Sequence, residues 1–201
     1  MSFVVGTVGR MENVDAFIAA QDSIKSAAGD LGATSVRATQ VILGGESQGT
    51  VQVAFHVDTK DAAMAVGAGM VKNEAIRQMM GAAGASVLRR SLMQVIGQGG
   101  EMTGKYMQGL MMKSSISFQA AAKDFERVWK NMQPEVNGMM MAQAAVVGPN
   151  PMGTHYFATY GDSIDAIDAA AARNWADPMT KSTMASTNSS VVGIICSEVL
   201  F

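Results

Sequence analysis

The chain has 201 residues, 48% of them apolar and 16% charged, with a net charge of −2. There is no basic surplus to neutralise phosphates, which excludes nucleic acid as a partner, and no apolar run approaches the roughly 18 residues that cross a bilayer. A single cysteine, Cys196, cannot close an internal disulfide, which suits a reducing cytoplasm, and Met1–Gly6 lacks the charged and long apolar regions of a signal peptide.

Phe3–Gly9 reads as a strand. Glu12–Leu31 follows with apolar Val14, Phe17, Ile18, Ile24, Ala28 and Leu31 at helical spacing, and Gly32 marks its stop. Ser35–Leu43 alternates as a second strand, Gly44–Gly49 forms a hairpin loop, and Val51–Val57 is a third strand with Val51, Val53, Phe55 and Val57 on one face. Asp58 or Thr59 starts a helix that runs to about Ala83, and Ser86–Ile96 is a fourth strand. Gly97-Gln98-Gly99-Gly100 reads as a flexible linker. The order then recurs: strand Tyr106–Met112, helix Phe118–Met132 ended by Pro134, strands Met139–Val147 and Thr154–Tyr160 around Gly148–Gly153, a helix from Asp162 or Ser163 to about Met184, and strand Ser190–Phe201.

The recurrence is also visible residue by residue. Shifted by 104 positions, residues 1–97 lie over 105–201 without a gap, with 15 identities, several of them Ala or Gly. Identity at that level is weak, so the pattern carries the argument. Phe118, Ala121, Ala122, Phe125, Val128 and Met132 repeat the first helix's apolar face, and Val14→Phe118 with Phe17→Ala121 looks like two cores diverging at constant volume. Each half is β-α-β-β-α-β, the ferredoxin-like plan. The expected fold is therefore α+β: two tandem ferredoxin-like repeats, 1–97 and 105–201 joined by 98–104, packed sheet to sheet as an intrachain α/β barrel, because the second sheet face is too apolar to stand in water.

Such a tandem pair resembles the dimeric α/β-barrel superfamily, which holds small cofactor-independent monooxygenases, haem-degrading enzymes and stress-response proteins. The most telling motif is Trp175-Ala176-Asp177-Pro178, similar to the helix break many of its members carry there; the first half has Lys72-Asn73-Glu74-Ala75 instead, without proline. The resemblance implies two sheets face to face, with the last strand reaching across to the other half. RNA-recognition motifs share the plan but need basic residues on the third strand, which reads Val-Gln-Val-Ala-Phe-His-Val. An acylphosphatase loop is missing around Arg10.

A cavity between the sheets is the place to seek chemistry. Placing Ala38 and Ala142 toward the helices turns Arg37, Thr39, Met141 and Gln143 inward; the third strands add His56, Tyr156 and Tyr160. Either Arg89 or Arg90 faces the barrel, and Trp175 lines a pocket or covers the barrel's end. His56 is the best catalytic candidate, as base, acid or ligand, weighed against a hydrogen-bonded structural histidine. Arg37 and Arg89 suit a carboxylate or oxyanion, weighed against internal ion pairs. His155 is expected to face the helices and to be structural. Asp58 and Asp162 sit at helix starts, where an Asp caps free N–H groups. Eighteen methionines read as core filler, no metal site is expected, and no cofactor is predicted. The expected function is binding of a small, mostly apolar molecule between the sheets. The alternatives are a cofactor-independent monooxygenase or isomerase, or a non-enzymatic interaction protein, with room for a homo-oligomer.

Overall fold

The computed structural model describes residues 1–148 and 153–201. The first half contributes β1 (Phe3–Arg10), α1 (Val14–Ala19), α2 (Gln21–Asp30), β2 (Ala33–Leu43), β3 (Val51–Val57), α3 (Lys60–Gly69), α4 (Glu74–Ala82) and β4 (Ser86–Gly100). The second contributes β5 (Tyr106–Lys113), α5 (Phe118–Met132), β6 (Gly138–Val146), β7 (His155–Gly161), α6 (Ile164–Ala176), α7 (Pro178–Ser186) and β8 (Ser190–Val199). The eight strands close an antiparallel barrel in the order β1-β3-β2-β8-β5-β7-β6-β4. The expected α+β fold with two sheets forming one intrachain barrel is the fold of this chain.

Alternation sets which side each residue faces. On β3, Val51, Val53, Phe55 and Val57 are buried against the first half's helices with Phe17, Ile24 and Val66, while Ala54 belongs to the core inside the barrel. The second half repeats this with Phe125, Met139, Met141 and Ile167 on the helix side, and Met107, Met140 and Tyr160 inside. No helix among the described residues is long and apolar enough to cross a membrane.

The two halves are sewn together by strands. β2 pairs with β8, Thr39 opposite Val199, and β4 pairs with β6, ending with Gly100 opposite Gly138. The glycine run 97–100 is therefore strand, not the flexible linker expected. Its glycines make room for aromatic rings: a Cβ on Gly97 would lie 2.4 Å from the Phe125 ring, and one on Gly99 2.5 Å from the Trp129 indole. Composition suggested looseness where the glycines serve close packing.

Three further expectations change. The first helix is two, broken at Ala20. The helix after β3 breaks in the first half as well, where Asn73 caps α4 by accepting from the Ile76 N–H at 3.2 Å. Proline is thus unnecessary for a break that a capping side chain can stabilise. The caps after β3 and β7 are Thr59 and Ser163, not Asp58 and Asp162. Asp162 instead accepts from the Lys105 N–H (3.1 Å) and the Asn137 amide (3.2 Å), tying the start of β5 to the entry of β6.

The gapless alignment also needs one correction. Gly6 lies opposite Ala54, and Gly109 opposite Ala158; Arg37 lies opposite Ala54, and Met140 opposite Ala158. The first two strands of each half are thus offset by 103 residues and the third by 104. The β6–β7 connection is one residue longer than the β2–β3 connection, residues 147–154 against 44–50. Most of the expected loop Gly148–Gly153 falls on positions 149–152, outside the described residues. A slip of one residue turns a strand over, so the true counterpart of Arg37 is Met140.

Candidate functional site

The two halves differ most beneath their helices. In the first half the space between helices and sheet is a residual gap of about 80 Å³. In the second it is a cavity of about 320 Å³ under α5, α6 and α7, within the size range of small-ligand sites. The sequence accounts for the difference. Phe17 and Phe55, both buried in the first core, correspond to Ala121 and Thr159. The volume these rings fill in one half is left open in the other. The reading of size exchange at constant volume is therefore corrected: the second core is hollowed.

Its walls also change character. Met70, Ile76 and Met79 line the small gap; Asn174, Thr180 and Thr183 stand in their places around the large cavity. One wall is a polar cluster. Arg127 donates to both Asp124 oxygens at 2.7 Å, to Asp177 and to the Thr180 hydroxyl at 2.9 Å. Thr180 in turn donates to Asn174 at 3.2 Å, and the Asn131 amide reaches both Asn174 and Asp177. Asp177 also caps α7 through the Met179 N–H. The break at Asp177-Pro178 is thereby clamped to α5. Elsewhere on the lining, Gln108 donates to Asp168 at 2.7 Å.

His155 opens β7 and lines this cavity, where the first half has the core residue Val51. It is only 2% exposed. Its Nδ1 lies 3.0 Å from the Thr154 hydroxyl, and its Nε2 is buried with no hydrogen-bond partner. The Thr154 hydroxyl accepts from the Ser114 N–H and has the Met112 and Ser114 carbonyls at 3.3 Å. Carbonyls only accept, so the hydroxyl proton is best used on one of them. That leaves Nδ1–H to donate to Thr154 and a free lone pair on Nε2. An unpaired buried nitrogen is costly, and this one borders a cavity.

The barrel interior holds a second, smaller cavity of about 190 Å³ between the two sheets. It brings together Arg37, Thr39, Arg89, Tyr156 and Tyr160. The fourth-strand parity is resolved: Arg89 lines this space, whereas Arg90 lies on the helix side and donates to the Gly67 carbonyl at 2.8 Å. His56 sits one inward row beyond Arg37, near enough to feel its charge, but does not line the cavity. Two expected members face the other way. Met141 packs in the helix-side core opposite Phe157, and Gln143 lies opposite His155 on that same face; the slipped register of β6 is the cause. Trp175 lines the larger cavity, not the barrel.

Burial pushes the imidazoles of both His155 and His56 below their ordinary value of 6.5, with the Arg37 charge adding to the effect on His56. Well above pH 6.5 both are neutral folded or unfolded, and nothing is gained or lost. Below it the unfolded chain takes up protons that the fold resists, so stability falls as pH drops, by up to about 1.4 kcal/mol per pH unit for each histidine. Urea unfolding at pH 7.5 and 5.0 is expected to show this loss, with a shallower fall in His155→Asn and His56→Asn. Equal slopes in all three proteins would contradict it.

No family model matches the sequence, and no curated protein matches it. Solved structures do match the fold. A candidate chlorite dismutase, TA0507, aligns with a TM-score of 0.57 at 10% identity, over 98% of this chain and 94% of that one. A haem-binding protein of Thermus thermophilus aligns with a TM-score of 0.56 at 9% identity, over 98% and 90%. A candidate monooxygenase of Fusobacterium nucleatum aligns at 0.52 and 9%, over 98% and 91%. The chain thus has the dimeric α/β-barrel fold, in the form shared with chlorite dismutase-like proteins. The expectation of no cofactor is overturned by the same comparison, because a protein sharing nearly the whole fold is described as haem-binding.

Proposed function

We propose that the second half binds a small, flat, mostly apolar group in the cavity under α5–α7, with haem as the first candidate and His155 Nε2 as the nitrogen that would hold its iron. The observation that carries this reading is the buried, unpartnered Nε2 of His155 on the lining of the larger, mostly apolar cavity. A metal-binding imidazole usually donates its other N–H to a fixed acceptor, and the Thr154 hydroxyl stands in that place. The description of the Thermus protein as haem-binding supports the same reading.

The residues fit the group in two respects and not in a third. His155 supplies the nitrogen, kept neutral by burial. Met139, Met141, Val128 and Phe157 supply apolar walls. The polar wall offers no spare cation for carboxylate arms, because Arg127 is already paired with Asp124 and Asp177. When bound, haem would supply redox and oxygen-binding chemistry; this chain's own part is to hold it, exclude water and set the ligand's tautomer. The site thus departs from the expected one between the sheets.

Hemin titrated into the protein is expected to give a saturable Soret band at one equivalent per chain. Ala121→Phe, which restores the ring present at Phe17 in the first half, is expected to abolish it by filling the cavity. No saturable band with the unaltered protein, or an unchanged band in Ala121→Phe, would overturn the proposal.

A further inference from the structure

The barrel interior has a chemistry of its own. Strand register places two inward rows on the first half's sheet: Arg37, Ala54, Gly6 and Ser91 across β2, β3, β1 and β4, then Thr39, Gln52, Val8 and Arg89. Both rows line the 190 Å³ cavity. The facing rows of the second half are mostly apolar, with Met140, Ala158, Gly109 and Ile195 in one and Tyr160, Met107 and the buried Ser197 in the next. One sheet gives a cationic, hydroxyl-bearing floor, and the other an apolar roof.

The polar groups of that floor lack partners. Arg37 is half-buried, and among the described residues its guanidinium has neither a carboxylate nor a hydrogen-bond acceptor; Arg89 also has none, but it is exposed and open to water. The Thr39 hydroxyl, on a residue only 3% exposed, also has none. Buried hydroxyls ordinarily find a partner, and a guanidinium presents parallel N–H donors that suit a carboxylate or a phosphate; the small, mostly apolar lumen favours the single charge of a carboxylate on an apolar body. The ion pairs that would have made Arg37 and Arg89 structural are not formed.

We propose that the barrel lumen is a second binding site, taking a small carboxylic acid whose carboxylate meets Arg37 and the Thr39 hydroxyl, with the exposed Arg89 adding charge from across the sheet, and whose apolar body lies on Met140, Ala158 and Met107. The acid is held without covalent change. The site stands apart from the His155 cavity, on the other face of the second half's sheet, and does not rest on the reading given to that cavity.

Calorimetric titration with hexanoate, using 1-hexanol as the uncharged comparison, tests the assignment. Hexanoate is expected to bind saturably, one per chain, and hexanol at least about tenfold more weakly, the scale of one charge-assisted hydrogen bond. Arg37→Gln is expected to weaken hexanoate about tenfold, and Arg89→Gln, an exposed position, by about twofold. Thr39→Val gives a readout that a merely structural residue would not: it removes an unpartnered hydroxyl, so it should raise the melting temperature of the free protein while weakening hexanoate. Ala121→Phe, which fills the other cavity, should bind hexanoate as the unaltered protein does. Equal binding of acid and alcohol, no binding of hexanoate at millimolar concentration, or unchanged affinity in both arginine variants would overturn the proposal. So would loss of binding in Ala121→Phe, which would place the acid under the helices.

Discussion

Gly138→Ala is expected to destabilise the protein by about 3 kcal/mol, at the upper end of what overpacking costs. Gly138 opens β6 at the seam where the two halves join, opposite Gly100 of β4 and Tyr160 of β7. A Cβ there would sit 2.2 Å from the Glu101 carbonyl oxygen and 2.5 Å from its carbon. Both are backbone atoms of the adjoining segment, held in place by the hydrogen bond from the Glu101 N–H to the Asn137 carbonyl. The clash cannot be relieved by turning a side chain, so the end of the β4–β6 ladder must open. Gly67→Ala is the matching control. Gly67 lies inside α3 with nothing within 4 Å of the added carbon, and alanine there should stabilise by about 0.5–1 kcal/mol. Urea midpoints at constant m-value check both. A Gly138→Ala protein as stable as its parent would show that the seam does not hold the barrel closed.

Much of the fold can be read from residue patterns, because those patterns are local. The alternation of Val51–Val57 and the helical spacing of Phe118–Met132 each mark an element whose observed limits are the expected ones. What the pattern does not carry is information held in contacts between distant segments. Gly97–Gly100 looks like a linker until Phe125 and Trp129 are placed above it. The break at Asn73 depends on a cap to Ile76, and Lys72-Asn73-Glu74-Ala75 has no proline to announce it.

The candidate site is legible only in part, and the barrel-side errors have one source. Alternation places the inward residues correctly on β2 and β7, where Arg37, Thr39 and Tyr160 do line the lumen. On β6 a single extra residue before β7 reverses the faces, and Met141 and Gln143 turn to the helices. The larger cavity leaves no mark on the barrel side of the repeat. Its signal lies on the helix side of the same comparison. Phe17 against Ala121, Phe55 against Thr159, Met70 against Asn174 and Ile76 against Thr180 all exchange bulk or apolarity for space and polarity. Their sum is a hollow that no single substitution reveals, with His155 where Val51 stands in the intact core.

His155→Gly carries the other large effect. Removing the imidazole takes away the buried nitrogen that the reading assigns to the metal, while the Thr154 hydroxyl and the apolar walls stay. Hemin affinity is expected to fall on the order of 100-fold, since even groups that only orient a ligand are worth 10–100-fold. The vacated space matches the lost ring, so free imidazole should occupy it and restore the nitrogen. A change that merely unfolded the pocket would not be rescued this way. The decisive measurement is therefore the Soret spectrum of His155→Gly titrated with hemin, with and without millimolar imidazole. A band lost on substitution and regained with imidazole is the expected result. A band of unchanged position and affinity in His155→Gly without imidazole would contradict the assignment of His155 and, with it, the proposed function of the cavity.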